Sequence, residues 1–470
     1  MNSLRARLNQ PADREAGFTI IEVMVAMMIF MIIAVGVAAA LTSSLTLTKD
    51  SRSREVAANL AAQDIDVARS INDVMTIVPA QTDVVVDGLR YTITRSVAWV
   101  TTGGGDGACG TADGALQYKH VNVRVDWQGR SQVIPEVQAD TLIAPNGRIN
   151  DPSMGTILVS VTGVSGAGIP GITVSVTPAA VNPNGAQPVI PGPAATDVQG
   201  CSYALKVPPG NYDVKISTTA GNYVNEKQKT TETQTKPVVA GDSVEADFQF
   251  DKASNISAVF AGNVGTSGIW FPSNLVVNWA SENSIYSTPV TVPVSKTVPY
   301  LLHPFTGGYD VFAGTYVAPS LTPGGAKAPD CISPDPGQWK TPNLAGVVGQ
   351  RLDDQHVATQ PGDPDTVNVR MGVVNVSNMS GKFLTAVSAT ADPLTGDPGC
   401  AVPMTYTFTT KVSTSNVNLA LPFGSWILYS GSSSGAKTSV VPLTQIALPS
   451  GSPVNVVTPG VFTIDPRVIQ

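Results

Sequence analysis

The pattern of apolar and polar positions changes twice near the start of the chain. Residues 1–17 are polar and slightly basic, and an apolar run follows from Phe18 to Leu41. A run of about 20 such residues is long enough to cross a bilayer as a helix. After residue 17, proline first occurs at Pro79. The pattern therefore predicts one continuous helix over residues 18–72.

The second half of this predicted helix is amphipathic. Its apolar residues recur at spacings of three, four and seven, as they do on one face of a helix. The residues of this stripe are Val56, Leu60, Val67, Ile71, Val74 and Val78. We expect the first half to enter a membrane and the second half to pack on a globular head.

Alternating apolar and polar positions replace the helical pattern beyond the helix. A strong hairpin signal occurs at Asp87-Gly88, and two further strands flank Gln128-Gly129. The sequence therefore predicts an α+β head over residues 18–150, in which the long helix is followed by a four-stranded antiparallel β-meander.

The rest of the chain repeats one turn-and-strand signature three times. Each copy places proline and glycine shortly before an aromatic residue, at Tyr212, Tyr309 and Trp426. The aromatic positions are roughly 100 residues apart, the size of an immunoglobulin-like sandwich. Glycine permits the turn and the aromatic ring packs between sheets, which is a structural role. The three predicted all-β modules span residues 151–252, 253–370 and 371–470.

The first of these modules resembles a known kind of sandwich. Its segments GIPGITVSVTP, GCSYALKVPPGNYDV and GDSVEADFQF are similar to the prealbumin-like modules of carboxypeptidase regulatory regions and of Gram-positive collagen-adhesin B-type proteins. Members of that group that form internal isopeptide bonds have a lysine in the opening strand. The segment GTILVSVTG has none, so we do not expect such a crosslink.

Composition and charge agree with a mainly β protein. Charged residues make up only 13% of the chain, and glycine (43) and proline (36) are abundant, which suits short strands and tight turns. The net charge is -7 and no basic stripe follows the first helix. Nucleic acid is therefore not an expected partner.

Four cysteines lie far apart, without the paired spacing of a zinc or redox site. An even number on an exported chain suggests two disulfides, with three possible connectivities. We favour Cys109 with Cys201 and Cys331 with Cys400, because each bridge would tie one module to the next. Unpaired, buried cysteines are the alternative.

Glu22 is the one ionisable residue of the apolar run. An acidic side chain costs about 2.5 to 3.5 kcal/mol at mid-bilayer on insertion scales, so it calls for an explanation. One explanation is a glutamate that reaches the interface near the helix start, helped by the positive end of the helix dipole. The residues around it suggest another.

Gly17, Phe18 and Glu22, with the apolar run that follows, resemble the type IV prepilin cleavage and methylation motif. In that family a membrane aspartyl peptidase, prepilin peptidase, cuts after the glycine and methylates the new amino terminus. The resemblance implies cleavage between Gly17 and Phe18 and N-methylation of Phe18. It also implies that Glu22 meets the Phe18 ammonium of a neighbouring subunit during filament assembly.

Two other interpretations of the N-terminus are open. A secretory signal cut near Ala38 or Ala40 would have a shorter apolar region, of about 7 to 15 residues. A simple signal anchor accounts for the membrane-spanning apolar run but does not explain the presence of Gly17 and Glu22.

The sequence shows no constellation typical of an enzyme. It has three histidines, His120, His303 and His356. Asp353 and Asp354 precede His356, but a solvated acidic loop is a simpler interpretation than a cation site. We therefore expect no catalysis, no metal and no cofactor.

These features together predict a minor type IV pilin-like subunit that displays β-sandwich modules for surface adhesion or filament-tip interaction. Its precursor would lie in the inner or cytoplasmic membrane with a single transmembrane helix and extracytoplasmic modules. After assembly it would lie at the cell surface or in a pilus. The expected partners are prepilin peptidase, other pilin subunits through the N-terminal helix, the membrane before assembly, and a surface ligand. The alternatives are a pseudopilin of a type II secretion or DNA-uptake system, and a membrane-anchored carbohydrate-active enzyme.

Overall fold

The chain divides into two units in the computed structural model. One comprises the described residues of 1–107 and 116–148, and the other those of 108–115 and 149–470. The structure describes residues 19–110, 114–130, 135–146, 149–282, 284–290, 296–321, 325, 327–328, 330–390, 393–448 and 459–468.

The first unit, here called the head, is a long helix on an antiparallel sheet. Helix α1 (Ile20–Ser70) ends at Ile71, whose backbone N–H still bonds to the Ala68 carbonyl. The described part of the helix thus agrees with the prediction of 18–72. The strands of the head are β1 (Ala80–Val86), β2 (Leu89–Thr101), β3 (Asp106–Gly107), β4 (Leu116–Trp127) and β5 (Val137–Ile143).

The head sheet has the order β1-β2-β4-β5, with β3 paired to β2. All of its strand pairs are antiparallel. Asp87 and Gly88 connect β1 to β2 with φ angles of 50° and 78°, as a two-residue hairpin turn requires. The predicted antiparallel meander is confirmed, and β3 is an additional short strand.

The second half of α1 packs on this sheet through a face of mostly small residues. Asp64 of the helix accepts hydrogen bonds from Nε and Nη2 of Arg95 on β2, at 2.8 and 2.7 Å. The predicted apolar stripe is wrong in part, because Val67 is 49% exposed. The buried residues of the helix are Ser53, Ala57, Ala61, Ile65 and Ala68.

The second unit begins with a sandwich whose two sheets enclose their own core. One sheet has the order β10-β12-β6-β8 and the other β11-β9-β7. The first and last strands, β6 and β12, pair in parallel. The strands are β6 (Gly155–Thr162), β7 (Thr173–Pro178), β8 (Cys201–Val207), β9 (Gly210–Ser217), β10 (Tyr223–Asn225), β11 (Glu232–Val238) and β12 (Ser243–Lys252).

The second sandwich follows after a single residue, Ala253. Its sheets are β17-β13-β20 and β16-β15-β18-β19, and its first and last strands again pair in parallel. Strand β14 lies in this stretch of sequence but belongs to a sheet of the third sandwich. The strands are β13 (Ser254–Phe260), β14 (Ile269–Trp270), β15 (Val276–Ala280), β16 (Ile285–Pro289), β17 (Thr297–Leu302), β18 (Tyr309–Ala313), β19 (His356–Val357) and β20 (Pro364–Val369).

The third sandwich includes strand β14, which comes from the sequence of the second sandwich. Its sheets are β14-β24-β21-β27 and β23-β22-β25-β26, with β28 on β25. Strand β14 pairs in parallel with β24. The remaining strands are β21 (Gly372–Ser377), β22 (Phe383–Ser388), β23 (Thr405–Phe408), β24 (Asn416–Leu421), β25 (Gly424–Gly431), β26 (Ser439–Val440), β27 (Ile446–Ala447) and β28 (Val461–Ile464).

Among the described residues of the second unit, the buried side chains form two large cores. The first sandwich has one of them, which includes Val159, Val214 and Phe248. The second and third sandwiches share the other, which includes Trp279 of the second sandwich and Leu428 of the third. The predicted fold class, a long N-terminal helix with an antiparallel sheet followed by β-sandwich modules, is confirmed.

Candidate functional site

The first turn of α1 is built around Thr19 and Glu22. Thr19 has extended backbone angles, and its Oγ1 accepts a hydrogen bond from the Glu22 backbone N–H at 3.3 Å. The Thr19 carbonyl accepts from the N–H groups of Glu22 and Val23 at 3.0 and 3.2 Å. Threonine is a favoured N-cap residue for this reason. Glu22 therefore lies in the first turn, where the helix dipole favours negative charge.

The first half of α1 has no packing partner among the described residues. Every side chain from Thr19 to Lys49 is exposed, including Ile20, Phe30 and Leu45. This helix is long and apolar enough to cross a membrane. A fully exposed apolar surface of this length needs a lipid or protein environment outside the chain. Between Thr19 and Thr48, Glu22 is the one ionisable residue.

Two of the predicted site residues lie just before this helix. Gly17 and Phe18, the predicted cleavage and methylation positions, fall outside the described residues. The helix starts at Ile20, so in sequence the predicted cut lies at its beginning. The processing roles of Gly17 and Phe18 and the assembly role of Glu22 stay predictions.

The four predicted disulfide cysteines form two bridges. Cys109 is joined to Cys201 at the start of β8, and Cys331 is joined to Cys400. This is the pairing favoured from the sequence. Cys331 precedes the third sandwich and Cys400 lies within it, so the second bridge connects the last two modules. Cys109 lies in the stretch of sequence from 108 to 115, which is assigned to the second unit.

The repeated aromatic residues are buried and also donate hydrogen bonds. Tyr212 is fully buried, and its hydroxyl donates to the Pro208 carbonyl at 2.9 Å. Trp426 is 2% exposed, and its Nε1 donates to the Pro422 carbonyl at 3.0 Å. Each ring thus closes the turn that precedes its own strand, a device known from tyrosine corners in other sandwiches. The structural role expected for these residues agrees with the geometry.

The histidines and the acidic loop are engaged in local contacts. His120 lies 3.0 Å from Asp140, and His356 lies 2.8 Å from Asp310. Asp354 accepts hydrogen bonds from Arg370 at 2.8 and 3.0 Å. Within the described ranges, no three His, Cys, Asp or Glu side chains come together as a metal site requires.

His303 has a different environment, which the sequence did not reveal. It is fully buried, and its Nδ1 lies 3.1 Å from the Val224 carbonyl of the first sandwich. Burial lowers the pKa of His303, although the Val224 hydrogen bond and the charges of Asp251 and Glu226 act in the opposite direction. Only the pairing of segments far apart in sequence creates this site.

Comparison with known proteins identifies one sequence motif. A prokaryotic N-terminal methylation motif matches residues 13–38, which include Gly17, Phe18 and Glu22. The chain therefore carries the prepilin-type motif at its N-terminus. No curated protein sequence matches the chain.

Comparison with solved structures gives distant likenesses. The Bacillus anthracis TIE protein is 13% identical, with 83% of this chain and 71% of that one covered at a TM-score of 0.20. A streptococcal ancillary pilin is also 13% identical, covering 55% and 76% at a TM-score of 0.20. BcpA, the major pilin subunit of Bacillus cereus, is 11% identical, covering 66% and 95% at a TM-score of 0.20.

Proposed function

We propose that this chain is a minor type IV pilin-like subunit whose N-terminal helix assembles with other pilin helices. One observation carries the proposal: the methylation motif over residues 13–38 runs directly into an exposed apolar helix with Glu22 in its first turn. In this proposal residues 1–17 are a leader, and prepilin peptidase cuts after Gly17 and methylates Phe18. The precursor is held in the membrane by the same helix, with the modules outside.

Glu22 sets the register of assembly in this proposal. A carboxylate or an ammonium is costly to bury alone, whereas a close pair is tolerated. Cleavage creates an ammonium at Phe18, four residues before Glu22. Contacts between largely apolar helices specify axial position weakly, and one ion pair per interface penalises any slip that separates the charges.

The sandwiches serve as the displayed part of the subunit. About two thirds of the chain lies beyond the head, and such a mass on every subunit would crowd the shaft of a filament. We therefore place the chain at or near a filament tip, where its modules contact a surface ligand. Immunogold labelling of intact cells tests this placement. Extracellular label at filament ends supports it, and label confined to the envelope indicates a pseudopilin instead.

The variant Glu22→Ala tests the assembly role. We expect it to insert in the membrane at the wild-type level but to be missing from sheared filaments. Glu55→Ala is the matched control, because Glu55 is an exposed glutamate on the same helix beyond its apolar half, and it should be incorporated normally. Wild-type incorporation of Glu22→Ala would refute the pairing.

A further inference from the structure

The three sandwiches are connected by two very different junctions. The second and third share one core, exchange strand β14 and are bridged by Cys331–Cys400. The first and second have separate cores, and only Ala253 separates β12 from β13. The contact between the first two sandwiches is therefore the weaker junction of the second unit.

Two short segments of this weaker junction, residues 224–228 and 303–309, contact each other and are here called the joint. Gln228 binds both parts of the second segment. Its Oε1 accepts from the His303 backbone N–H at 2.7 Å, and its Nε2 donates to the Tyr309 hydroxyl at 3.0 Å. The Tyr309 hydroxyl in turn donates to the His303 carbonyl at 2.6 Å. The joint is thus a small polar network centred on one glutamine.

His303 completes this network in its neutral form. A carbonyl oxygen only accepts hydrogen bonds, so the contact with Val224 requires the proton on Nδ1. Nε2 is buried and receives no hydrogen bond from any residue in the described part of the chain. The ring packs edge-on against Phe305, 4.8 Å between centroids. A second proton would place a buried N–H at Nε2 without an acceptor, which is unfavourable.

The charged and titratable groups near His303 come from both sandwiches. Glu226 and Asp251 of the first sandwich favour the protonated ring, but burial outweighs them. The Asp251 carboxylate also accepts hydrogen bonds from the backbone N–H groups of Val164 and Lys252, at 3.0 and 2.7 Å. Burial raises the pKa of Tyr309, so its hydroxyl stays neutral at acidic pH.

A cleft beside the joint shows that the two sandwiches meet incompletely. It has a volume of about 390 Å³ and is lined by Glu226 and Lys227 of the first sandwich and by Glu282, Phe305 and Gly307 of the second. Solvent therefore reaches the edge of the joint.

We propose that acidification opens the joint between the first and second sandwiches through protonation of His303. The separated state exposes a histidine with an ordinary pKa near 6.5, whereas the closed joint favours the neutral ring. The equilibrium constant for closing the joint is therefore largest above about pH 6.5. It falls roughly tenfold for each pH unit below that value, until His303 is also protonated in the closed joint.

Hydrogen exchange of the full chain in detergent micelles tests the proposal. Exchange is measured by mass spectrometry at pH 7.5 and 5.5 and corrected for the intrinsic effect of pH. We expect peptides covering residues 224–228 and 303–309 to lose protection about tenfold at pH 5.5. Peptides from β21 and β22 should keep theirs, because they lie in the fused pair of sandwiches.

Two histidine variants separate this effect from general acid sensitivity. His303→Gln should give joint protection that is the same at both pH values, because the side chain no longer titrates. His356→Gln is the matched control and should keep the wild-type pH dependence. Gln228→Ala should loosen the joint at both pH values. Equal protection of the wild-type joint at pH 7.5 and 5.5, or an undiminished acid effect in His303→Gln, would overturn the proposal.

Discussion

Single aromatic residues combine two tasks in the repeated turns. Tyr212 fills the core of the first sandwich, and its hydroxyl both donates to the Pro208 carbonyl and accepts from the Gln187 backbone N–H at 3.0 Å. Tyr309 uses the same atom to bind Gln228 of the preceding sandwich. A residue that shapes one module can therefore also hold its neighbour.

Removing the hydroxyl of Tyr212 should destabilise the first sandwich. We expect Tyr212→Phe to lower its free energy of unfolding by about 1 to 3 kcal/mol, because two backbone groups lose their hydrogen-bond partner. Hydrogen exchange of β9 under mild denaturant measures the change. Tyr223→Phe, a half-buried tyrosine of the same sandwich, is the control and should stay within about 0.5 kcal/mol. Equal effects of both substitutions would contradict the role of the turn.

Residue chemistry was only partly predictable from sequence. Glu22 could be singled out because a charge within an apolar run is conspicuous in one dimension. His303 could not, since its environment depends on strand β10, whose Val224 lies 79 positions earlier in the chain. The disulfides were partly predictable. The number of cysteines indicated two bridges, but only the order of the modules favoured one pairing over the others.

At the scale of elements, the two halves of α1 differ in how much of their surface is buried. Up to Lys49 its side chains are exposed, and from Ser53 onward one side is buried against the head sheet. Alanine at positions 57, 61 and 68 allows the helix backbone to approach the strands closely. The same helix thus provides a free apolar surface and a fixed support for the head.

Two neighbouring alanines provide a direct test of this packing. Ala61 is fully buried whereas Ala62 is exposed. We expect Ala61→Leu to destabilise the head by about 1 to 3 kcal/mol, because the larger side chain overpacks the contact between helix and sheet. Ala62→Leu should change stability by less than about 0.5 kcal/mol. Denaturant unfolding of the solubilised chain measures both changes. If Ala61→Leu leaves the free energy of unfolding unchanged, the helix does not lie tightly on the sheet.

Helix and hairpin existence were predicted well, but contact faces were not. The bounds of α1 follow from local signals, namely the long absence of proline and the end of the apolar pattern. The stripe through Val67 was wrong in part because hydrophobicity ranks valine above alanine, whereas a close helix–sheet contact selects small residues. Strand β14 was missed because two residues are too few to show alternation, and its partner β24 lies in another module.

At the scale of the whole molecule, the described part of the second unit has two large hydrophobic cores, which define two blocks. The first sandwich has its own core, and the other two have a common one. We expect the second and third sandwiches to unfold in one transition and the first sandwich in another. Denaturant titration followed by hydrogen exchange distinguishes the blocks. Separate transitions for the second and third sandwiches would contradict the fused core.

The bridge between Cys331 and Cys400 should strengthen the larger block. It closes a loop with a sequence separation of 69, for which chain entropy predicts a stabilisation of about 4 kcal/mol. The double variant Cys331→Ser, Cys400→Ser should therefore lower the midpoint of the shared transition and leave the first sandwich unchanged. An equal loss in both blocks would show that the bridge acts on more than the fused pair.

The function proposed for the whole chain depends on a new amino terminus next to Glu22. Mass spectrometry of the mature protein purified from cells that make its filaments tests this most directly. We predict a first residue of N-methylated Phe18, with the leader through Gly17 removed. A mature chain that begins at any other residue, or that retains the leader, would contradict the proposed pilin-like assembly.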